Sequence, residues 1–487
     1  MFSNVDDICK SLCCYRENNN GKRIIDYPQK SNDIPLGGTG GIPISYDNTK
    51  HQVYVDHTDR HSIIIGQTGA KKSRLVAMPL VYILGAARES MIISDPKAEI
   101  YHRTSEYLKS EGYEITVINL RDPKMGSAWN PLALAYYFYQ QGNIDKAYEF
   151  ANDIAVNLIA IDKSQTDAFW DNSAGTLFFG LTILLFKICS EHKKDARSVN
   201  IRNILALRKE LFEKGYPAQN PLWKYAQKDS FIESMLIGCV TTANDTRAGI
   251  LSVFDQKMRV FSIQPSLLDM LSQNDMEYGS VRKKPTAIYL LLPDEKTGYH
   301  SLVSLYIKQS YEYYIYTSQQ SIDNNEAFGI RINYILDEFS SLPTISDFPA
   351  MITAARSRNI RFNLFLQSKK QLTLKYHEES DTIMSNCENW IYLFSRELDF
   401  LKELSELCGE TNNKKPLLSV SDLQRLDKEL GETLILIGRE KPLITHLPDI
   451  DFYDSGNPRK ATYGMSSKNP LSKDFDRDID LLLKYIL

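Results

Sequence analysis

The sequence predicts an α/β fold in which a mainly parallel sheet is interrupted by an inserted all-α domain. Short, uninterrupted apolar runs at residues 63–65, 91–93 and 115–118 alternate with segments of helical periodicity. Such runs are typical of strands that helices cover on both faces of a parallel sheet. Similar runs return from residue 287 onward, whereas the segment between has almost no strand signal. Strands and helices that alternate in this way favour a parallel sheet with helices on both sides.

Changes in the sequence pattern divide the chain into four predicted parts. Residues 1–42 are polar and rich in turn-forming residues, which indicates an N-terminal arm. Residues 43–130 and 276–452 carry the predicted strands and are expected to form one α/β domain. Residues 131–275 show apolar side chains at three- and four-residue steps, the period of amphipathic helices, and form the all-α domain. Residues 453–487 are again polar and form a predicted C-terminal tail.

Composition and charge limit the classes of protein to which the chain can belong. Of its 487 residues, 43% are hydrophobic and 24% are charged, which is typical of a globular protein and not of a disordered one. The formal net charge of −4 gives no overall attraction to DNA or to anionic lipids. Any contact with nucleic acid must therefore come from a local basic surface or from the lumen of an oligomer.

Cysteine usage and hydropathy predict a soluble cytoplasmic protein. The seven cysteines include no Cys-x-x-Cys pair and no metal-binding spacing, a pattern that fits a reducing compartment. The longest apolar stretch, residues 177–186, is well short of the roughly 20 residues that a membrane-spanning helix needs. We therefore expect that stretch to lie in a buried core helix, and we expect no transmembrane segment in this chain.

An imperfect phosphate-binding loop follows the first predicted parallel strand. The Walker A pattern G-x-x-x-x-G-K-[ST] is matched from Gly66 to Ser73, except that Lys71 replaces the second glycine. In such a loop, backbone N–H groups surround a phosphate, Lys72 would balance its charge, and the Ser73 hydroxyl would bind Mg²⁺. The predicted cofactor-binding residues are Gly66, Gln67, Thr68, Gly69, Ala70, Lys71, Lys72 and Ser73. The alternative is an ordinary turn from strand to helix.

Two acidic residues support the nucleotide interpretation. The apolar residues 334–336 end in Asp337 and Glu338, which has the form of a Walker B motif. Asp337 would hold Mg²⁺ through water, and Glu338 would polarise the attacking water. Ser73 and Asp337 together are the predicted metal site. Taken alone, the pair would also suit a strand that ends in two solvated acids. Because each motif lies at a strand end, the two together predict a nucleotide-binding site.

A third segment carries further candidates for catalysis. Gln367 ends another predicted strand, where its amide can sense a γ-phosphate by hydrogen bonding. Arg356, Arg358 and Arg361 precede or begin that strand, and one of them could act in a neighbouring subunit's site as an arginine finger. The sequence does not separate the three, and a solvated basic turn is the alternative for each. We take Arg358 as the candidate, so the predicted catalytic residues are Glu338, Gln367 and Arg358.

These motifs and several other segments recur in one family in the same order and spacing, although no single segment is decisive. The segments are 66–73, 94–99 (Ser-Asp-Pro-Lys-Ala-Glu, similar to the family's S-D-P-K-G-E), 129–132, 169–170, 336–339, 358–368, 387–390, 406–409 and 416–426. From about residue 50 to 450, the chain resembles the type IV secretion coupling proteins. These are the TraG/TraD-type conjugative DNA-transfer ATPases, which are related to the FtsK/HerA motors.

The resemblance implies a RecA-like P-loop nucleotide-binding domain that carries the all-α domain and assembles as a ring, often a hexamer. It implies ATP and Mg²⁺ as cofactors, and an ATPase that drives a relaxase–DNA complex into a type IV secretion channel. The implied partners are single-stranded DNA bound without sequence preference, a relaxase or relaxosome, secretion-channel proteins and further copies of this chain. For residues 95–97, the residues themselves suggest only a structural role at a strand-to-helix turn.

Two departures from the family pattern affect these expectations. Family members usually carry N-terminal membrane helices and this sequence shows none. We therefore expect a separate membrane partner and a peripheral location at the inner face of a bacterial membrane. The second departure is Lys71: if that position needs a positive φ, a residue other than glycine costs roughly 1–2 kcal/mol. Because Lys72, Ser73, Asp337 and Glu338 are retained, we expect slower hydrolysis and retained nucleotide binding.

Two other functions remain open. The first is a hydrolysis-impaired adaptor of the same family that recruits substrates, although the retained Asp337–Glu338 pair argues against it. The second is a soluble FtsK/HerA-like DNA translocase that works outside secretion. The missing membrane segment favours this translocase, whereas the Trp129-Asn130-Pro131 junction and the helical insertion favour the coupling proteins.

Overall fold

The computed structural model describes residues 8–18, 22–26, 38–159, 168–293, 297–324 and 328–454. These residues belong to two compact units. The first lies within Met1–Val117, Tyr278–Asp294 and Tyr311–Thr462, and the second lies within Ile118–Glu277 and Glu295–Ser310. The predicted domain boundaries are 130/131 and 275/276, and residues 295–310 were expected in the α/β domain. The predicted tail beyond residue 454 and part of the predicted arm lie outside the described residues.

Thirteen strands occur in the described ranges. They are β1 (Cys13–Glu17), β2 (Arg23–Asp26), β3 (Ile42–Asp47), β4 (Gln52–Asp56), β5 (Ser62–Gly66), β6 (Ser90–Asp95), β7 (Glu114–Asn119), β8 (Thr286–Leu291), β9 (Ile332–Leu336), β10 (Ile360–Leu366), β11 (Asn389–Phe394), β12 (Glu432–Ile437) and β13 (Leu443–His446). A four-stranded antiparallel sheet has the order β2-β1-β4-β3. A nine-stranded sheet has the order β13-β12-β11-β5-β10-β9-β6-β8-β7.

The centre of the large sheet is parallel and buried. Neighbouring strands run parallel from β11 through β5, β10, β9 and β6 to β8, whereas β12 and β13 are added antiparallel. Every residue of β5, β6, β8, β9 and β10 is buried. The uninterrupted apolar runs follow from this burial, because both faces of each strand are covered. The predicted fold class, a mainly parallel α/β sheet with an inserted all-α domain, is confirmed.

Strands β1 and β2 lie in the segment that was predicted to be an arm. Their side chains alternate between buried and partly exposed or are half-buried throughout, so neither strand produces an uninterrupted apolar run. Strand β1 pairs with β4 as well as with β2, and Arg23 of β2 donates a hydrogen bond of 3.0 Å to the carbonyl of Phe452. The described part of the arm is therefore integrated into the first unit.

The described α-helices account for the rest of the regular structure, apart from a π-helical turn and short 3₁₀ turns. They are α1 (Met78–Ala87), α2 (Glu99–Ser110), α3 (Ala133–Gln140), α4 (Ile144–Ile159), α5 (Ala168–Glu191), α6 (Ile201–Glu213), α7 (Pro221–Ala226), α8 (Ser230–Val240), α9 (Asn244–Ser262), α10 (Pro265–Met270), α11 (His300–Asp323), α12 (Phe348–Ala355), α13 (Lys369–Tyr376), α14 (Glu379–Asn386), α15 (Leu398–Leu407), α16 (Val420–Leu423) and α17 (Ile450–Tyr453). From 133 to 270 the described regular elements are all helical.

Helix α5 is the central helix of the second unit. It contains the apolar stretch 177–186 and packs against α4, α6, α8 and α9. By length and composition it is the one described helix that could cross a membrane, yet 78% of its most apolar window is buried inside the protein. Its apolar character is accounted for by this packing, as expected for a core helix.

A buried polar cluster joins the N-terminal edge of the large sheet to the segment that leads into β3. The carboxylate of Glu89 accepts hydrogen bonds from the Gly40 N–H at 2.9 Å and the Asn333 amide at 2.9 Å. Arg361 donates to Asn333 at 2.8 Å, to the Gly40 carbonyl at 3.0 Å and to Glu89 at 3.3 Å. Arg331 lies 3.7 Å from Glu89. Burial of these charges is tolerable because each has a partner of opposite charge.

We predict that Arg361→Met destabilises the first unit by about 3–5 kcal/mol, because it leaves the buried Glu89 carboxylate without its closest guanidinium. The matched control is Arg16→Met, since the Arg16–Asp26 pair has side chains about 40% exposed and should contribute less than about 1 kcal/mol. Hydrogen–deuterium exchange of the β10 amides measures the free energy of opening. Equal protection in the two variants would contradict a structural role for this cluster.

Candidate active site

The loop after β5 is a tight turn that leads from a strand into a helical segment. Gly69 has a φ of +83°, a conformation that favours glycine, and the Ala70 N–H donates to the Gln67 carbonyl at 3.0 Å. The Gln67 N–H donates to the Phe394 carbonyl of β11 at 3.0 Å, which ties the loop to the neighbouring strand. One π-helical turn, Ser73–Ala77, then leads into α1. Ser73 is thus placed at the N-terminus of this helical segment, where backbone N–H groups attract anions.

Lys71 adopts the left-handed conformation that the second glycine of the pattern would supply. Its φ is +61°, which costs a residue with a Cβ roughly 1–2 kcal/mol. Its ammonium lies 2.5 Å from a carboxylate oxygen of Glu429, and the Glu429 side chain is 68% exposed. The positive charge of Lys71 is therefore engaged by an acid at the protein surface.

Lys72 is folded back onto its own loop. Its ammonium donates to the Gly66 carbonyl at 2.5 Å, and its side chain is buried. Burial lowers the pKa of Lys72, while the carboxylates of Asp337 and Glu338 act in the opposite direction. A Cβ at position 66 would lie 3.0 Å from the Ala70 Cβ and 3.2 Å from the Lys72 Cγ, so the close packing of the loop favours glycine there.

The two acids of the predicted Walker B motif lie at the end of β9, close enough to Lys72 to counteract the lowering of its pKa. Asp337 is buried, and this burial raises its pKa to about 6, with a further contribution from Glu338 and opposition from Lys72. Glu338 has a φ of +52° and begins a 3₁₀ turn, Phe339–Ser341. The Gln367 amide donates to the Glu338 carboxylate at 2.7 Å. The structure therefore brings together Lys72, Asp337, Glu338 and Gln367.

A second buried carboxylate lies on the adjacent strand. Strand β6 pairs with β9, with Ser94 opposite Leu336, so Asp95 follows beside Asp337. Asp95 accepts the Tyr101 N–H at 2.8 Å, and burial, with the nearby charge of Asp337, raises its pKa to about 7. The exposed Lys97 is close enough to act on the pKa of both Asp337 and Lys72. The sequence predicts only a structural role for residues 95–97, although Asp95, like Asp337, lies at the C-terminal end of a buried strand.

The three arginines that precede or begin β10 have different environments. Arg361 belongs to the buried Glu89 cluster and is 2% exposed, so it is a structural residue. Arg356 pairs with Glu388 and, at 3.1 Å, with Asp59. Arg358 forms no ion pair with any described acid, and it precedes β10 at the edge opposite Gln367, so the strand separates the two residues by more than about 20 Å at 3.3 Å per strand residue. It therefore cannot reach the site of its own subunit.

The arrangement can hold a phosphate group together with a divalent cation. Among the described residues no three His, Cys, Asp or Glu side chains form a metal-binding group. Magnesium usually takes one or two protein carboxylates and completes its shell with phosphate oxygens and water. Burial raises the pKa values of the two adjacent carboxylates, Asp95 and Asp337. A bound cation would offset the cost of burying their negative charge. The residues present thus fit a metal ion that binds along with a phosphate.

Comparisons with known proteins identify the family and the fold of this chain. A family model described as "Type IV secretory system Conjugative DNA transfer" matches residues 2–429. The bacterial conjugative coupling protein TrwBΔN70, in an unbound form, superposes with a TM-score of 0.54 at 14% identity, covering 85% of this chain and 87% of that one. VirB4 of Thermoanaerobacter pseudethanolicus superposes with a TM-score of 0.51 at 14% identity, covering 84% and 96%. At these identities the superpositions establish the fold.

A sequence relative adds one further match. An uncharacterised protein of Bacillus anthracis is 30% identical over 148 residues, which covers 25% of this chain and 50% of that protein. The chain thus spans about half the length of this curated relative.

The pKa of Asp95 leads to a prediction about stability. Because its pKa is about 7 in the folded protein, above its ordinary value, the neutral carboxyl favours folding at low pH and this contribution is lost as the pH rises to 7. Asp95→Asn keeps an acceptor for the Tyr101 N–H and cannot ionise. We expect it to raise the free energy of unfolding at pH 8 by up to about 4 kcal/mol, and by much less at pH 4.

Urea denaturation at pH 4 and pH 8, without nucleotide, measures this difference. Asp399→Asn is the control, since that side chain is 96% exposed and should change stability little at either pH. An Asp95→Asn effect of the same size at both pH values would show that the buried carboxylate is not the cause.

Proposed function

The chain belongs to the type IV secretory system conjugative DNA transfer family, and from this premise we propose that it is an ATP-dependent coupling protein. It would recruit a relaxase–DNA complex and drive the DNA into a type IV secretion channel. The observation that carries the proposal is the convergence of Lys72, Asp337, Glu338 and Gln367 at one edge of the parallel sheet. Cations, carboxylates and a helix N-terminus at that edge suit nucleoside triphosphate hydrolysis.

We assign nucleotide binding to the loop after β5. TrwB, which shares this fold, has been solved with the ATP analogue ADPNP and with ADP and Mg²⁺. The residues assigned to the triphosphate are Gly66, Gln67, Thr68, Gly69, Ala70, Lys71, Lys72 and Ser73. When the ammonium of Lys72 leaves the Gly66 carbonyl, it can reach phosphate oxygens instead. Ser73 and Asp337 would hold Mg²⁺, which supplies positive charge to the phosphates when bound.

Glu338 and Gln367 act on the attacking water in this proposal. The Glu338 carboxylate orients and polarises the water, and Gln367 holds that carboxylate through its 2.7 Å hydrogen bond. A γ-phosphate offers the Gln367 amide a competing acceptor. Exchange of that hydrogen bond between Glu338 and phosphate would let Gln367 report whether triphosphate is bound.

Lys71 tunes the rate in this proposal and does not remove the site. Its left-handed backbone and its ion pair with Glu429 hold the loop in the required shape without glycine. Nucleotide binding is thereby retained. Stiffness at this position slows any step that requires the loop to rearrange, and slower hydrolysis follows.

The arginine finger and the partners complete the proposal. Arg358 lies at the opposite edge from its own site, so it can contribute only to the site of an adjacent copy in a ring, which we propose to be a hexamer. With a net charge of −4, sequence-tolerant contact with single-stranded DNA would come from the lumen of that ring. The remaining proposed partners are a relaxase, channel proteins and a separate membrane protein. The membrane protein would place the ring at the inner face of the membrane.

Steady-state ATPase assays, with and without single-stranded DNA, test the proposed activity. We expect measurable turnover from the native chain, a loss of about 10²- to 10⁴-fold in kcat for Glu338→Gln, and a higher kcat for Lys71→Gly. Glu379→Gln, an exposed change away from the loop, should behave as the native chain.

The outcomes separate the three functions considered. Native turnover that Glu338→Gln abolishes excludes the hydrolysis-impaired adaptor. Turnover seen only in Lys71→Gly would mean that the native chain is that adaptor. Recovery of a relaxase or channel ATPase in a pull-down distinguishes a coupling protein from a translocase outside secretion. No affinity for DNA at low salt, with the ring assembled, would contradict both motor functions.

A mixing experiment tests the position of Arg358. Arg358→Ala and Glu338→Gln should each be nearly inactive alone, because one lacks the finger and the other lacks the acid. When mixed, intact Glu338 of one subunit meets intact Arg358 of another, so part of the ATPase activity should return. Arg439→Ala, at the same sheet edge and exposed, is the matched control and should stay active. Absence of recovery in mixed rings would contradict action between subunits.

A further inference from the structure

The turn that follows Glu338 is held by a lysine from a different element. Glu338 starts this turn with a left-handed backbone, and its carbonyl accepts hydrogen bonds from the Ser341 N–H at 2.8 Å and hydroxyl at 2.6 Å. The ammonium of Lys375 donates to the Ser340 carbonyl at 2.6 Å and also to the Leu342 carbonyl. Among the described residues, no other charged side chain donates a hydrogen bond to either of these carbonyls.

The environment of Lys375 is unusual for a lysine on a helix surface. Its ammonium forms no ion pair with any acid of the described ranges, and burial lowers its pKa to about 8. An ammonium that is partly withdrawn from water without a carboxylate must be stabilised by dipoles, and here the two carbonyls supply them. The Lys375 side chain is therefore a partly buried part of the turn's hydrogen bonding and not a solvated surface charge.

Helix α13 connects this lysine to the other contact that fixes Glu338. The helix begins two residues after Gln367, whose amide binds the Glu338 carboxylate. From the same helix, Gln371 accepts the Ser340 hydroxyl at 2.9 Å. One segment of the chain thus binds the Glu338 carboxylate through Gln367 and the backbone of the turn after Glu338 through Lys375.

A cavity of about 310 Å³ opens beside this turn. The cavity is large enough to hold water next to Glu338. Its lining includes Glu338, Ser340, Gln367, Gln371 and Lys375. A water next to Glu338 would have polar partners on several sides, as an ordered water requires. Glu338 thus lines this space and begins the turn that Lys375 binds.

We propose that Lys375 is a positioning residue for hydrolysis, which aligns Glu338 with the attacking water by binding the carbonyls of Ser340 and Leu342. The inference rests on the proposed ATPase function and adds a residue to it. Lys375 does not touch nucleotide in this proposal. Its loss should therefore lower kcat while leaving nucleotide affinity as it is, since a small displacement of a catalytic group is costly in rate.

The test compares variants of the full chain. We expect Lys375→Met to lower kcat about 10- to 100-fold with the Kd for a fluorescent ATP analogue unchanged, and Lys375→Arg, which can still donate to both carbonyls, to recover most of the kcat. The matched control is Lys370→Met, an exposed lysine on the same helix, which should keep the native kcat and Kd.

The outcomes separate failure of the inference from failure of the proposed function. If the native chain hydrolyses ATP and Lys375→Met has the native kcat, or if kcat and affinity fall together, the positioning role is overturned. If the native chain shows no turnover, the proposed ATPase function itself fails, and the inference with it. Should Lys375→Met not fold, Gln371→Leu decides. That variant removes the bond from helix α13 to Ser340 and should lower kcat in the same direction at native affinity, and a native kcat would overturn the role.

Discussion

Parallel pairing of three buried strands is the constraint on which the candidate site depends. Strand β10 lies between β5 and β9, with Leu366 opposite Ile65 and Leu364 opposite Leu336. Because parallel strands end at the same edge, residues that are far apart in the sequence meet there. A shift of one residue between β9 and β10 would turn side chains to the other face, and it would break the buried side-chain hydrogen bond that joins these two strands near their N-terminal ends.

The two edges of this sheet have different electrostatic organisation. At the N-terminal edge, the buried charges of Glu89, Arg331 and Arg361 are matched to one another, so they stabilise the fold. At the C-terminal edge, Asp95 and Asp337 are buried with raised pKa values, and Lys72 is turned onto a carbonyl. Charge that is compensated serves stability, whereas charge left incompletely compensated at a strand edge is typical of a site that takes a ligand.

Two residues of the candidate site have strained backbone conformations. Lys71 and Glu338 both have left-handed backbone conformations although neither is glycine, and each has a distant side chain that holds it. Glu429 binds Lys71, and Gln367 binds Glu338 while Lys375 fixes the turn that follows it. Strain of this kind persists only where the surrounding structure enforces it, which links the conformation of both motifs to residues outside them.

The sequence by itself determined the fold class and placed the two predicted motifs at the C-terminal ends of strands, because burial on both faces and phosphate-loop geometry leave local patterns at residues 62–73 and 332–338. Only the tertiary structure decided where Lys71 points, since Glu429 is 358 residues away along the chain. It also separated Arg358 from Arg361, placed Asp95 beside Asp337 and showed strands in the predicted arm. Those features depend on partners brought together by folding, and no local pattern records such partners.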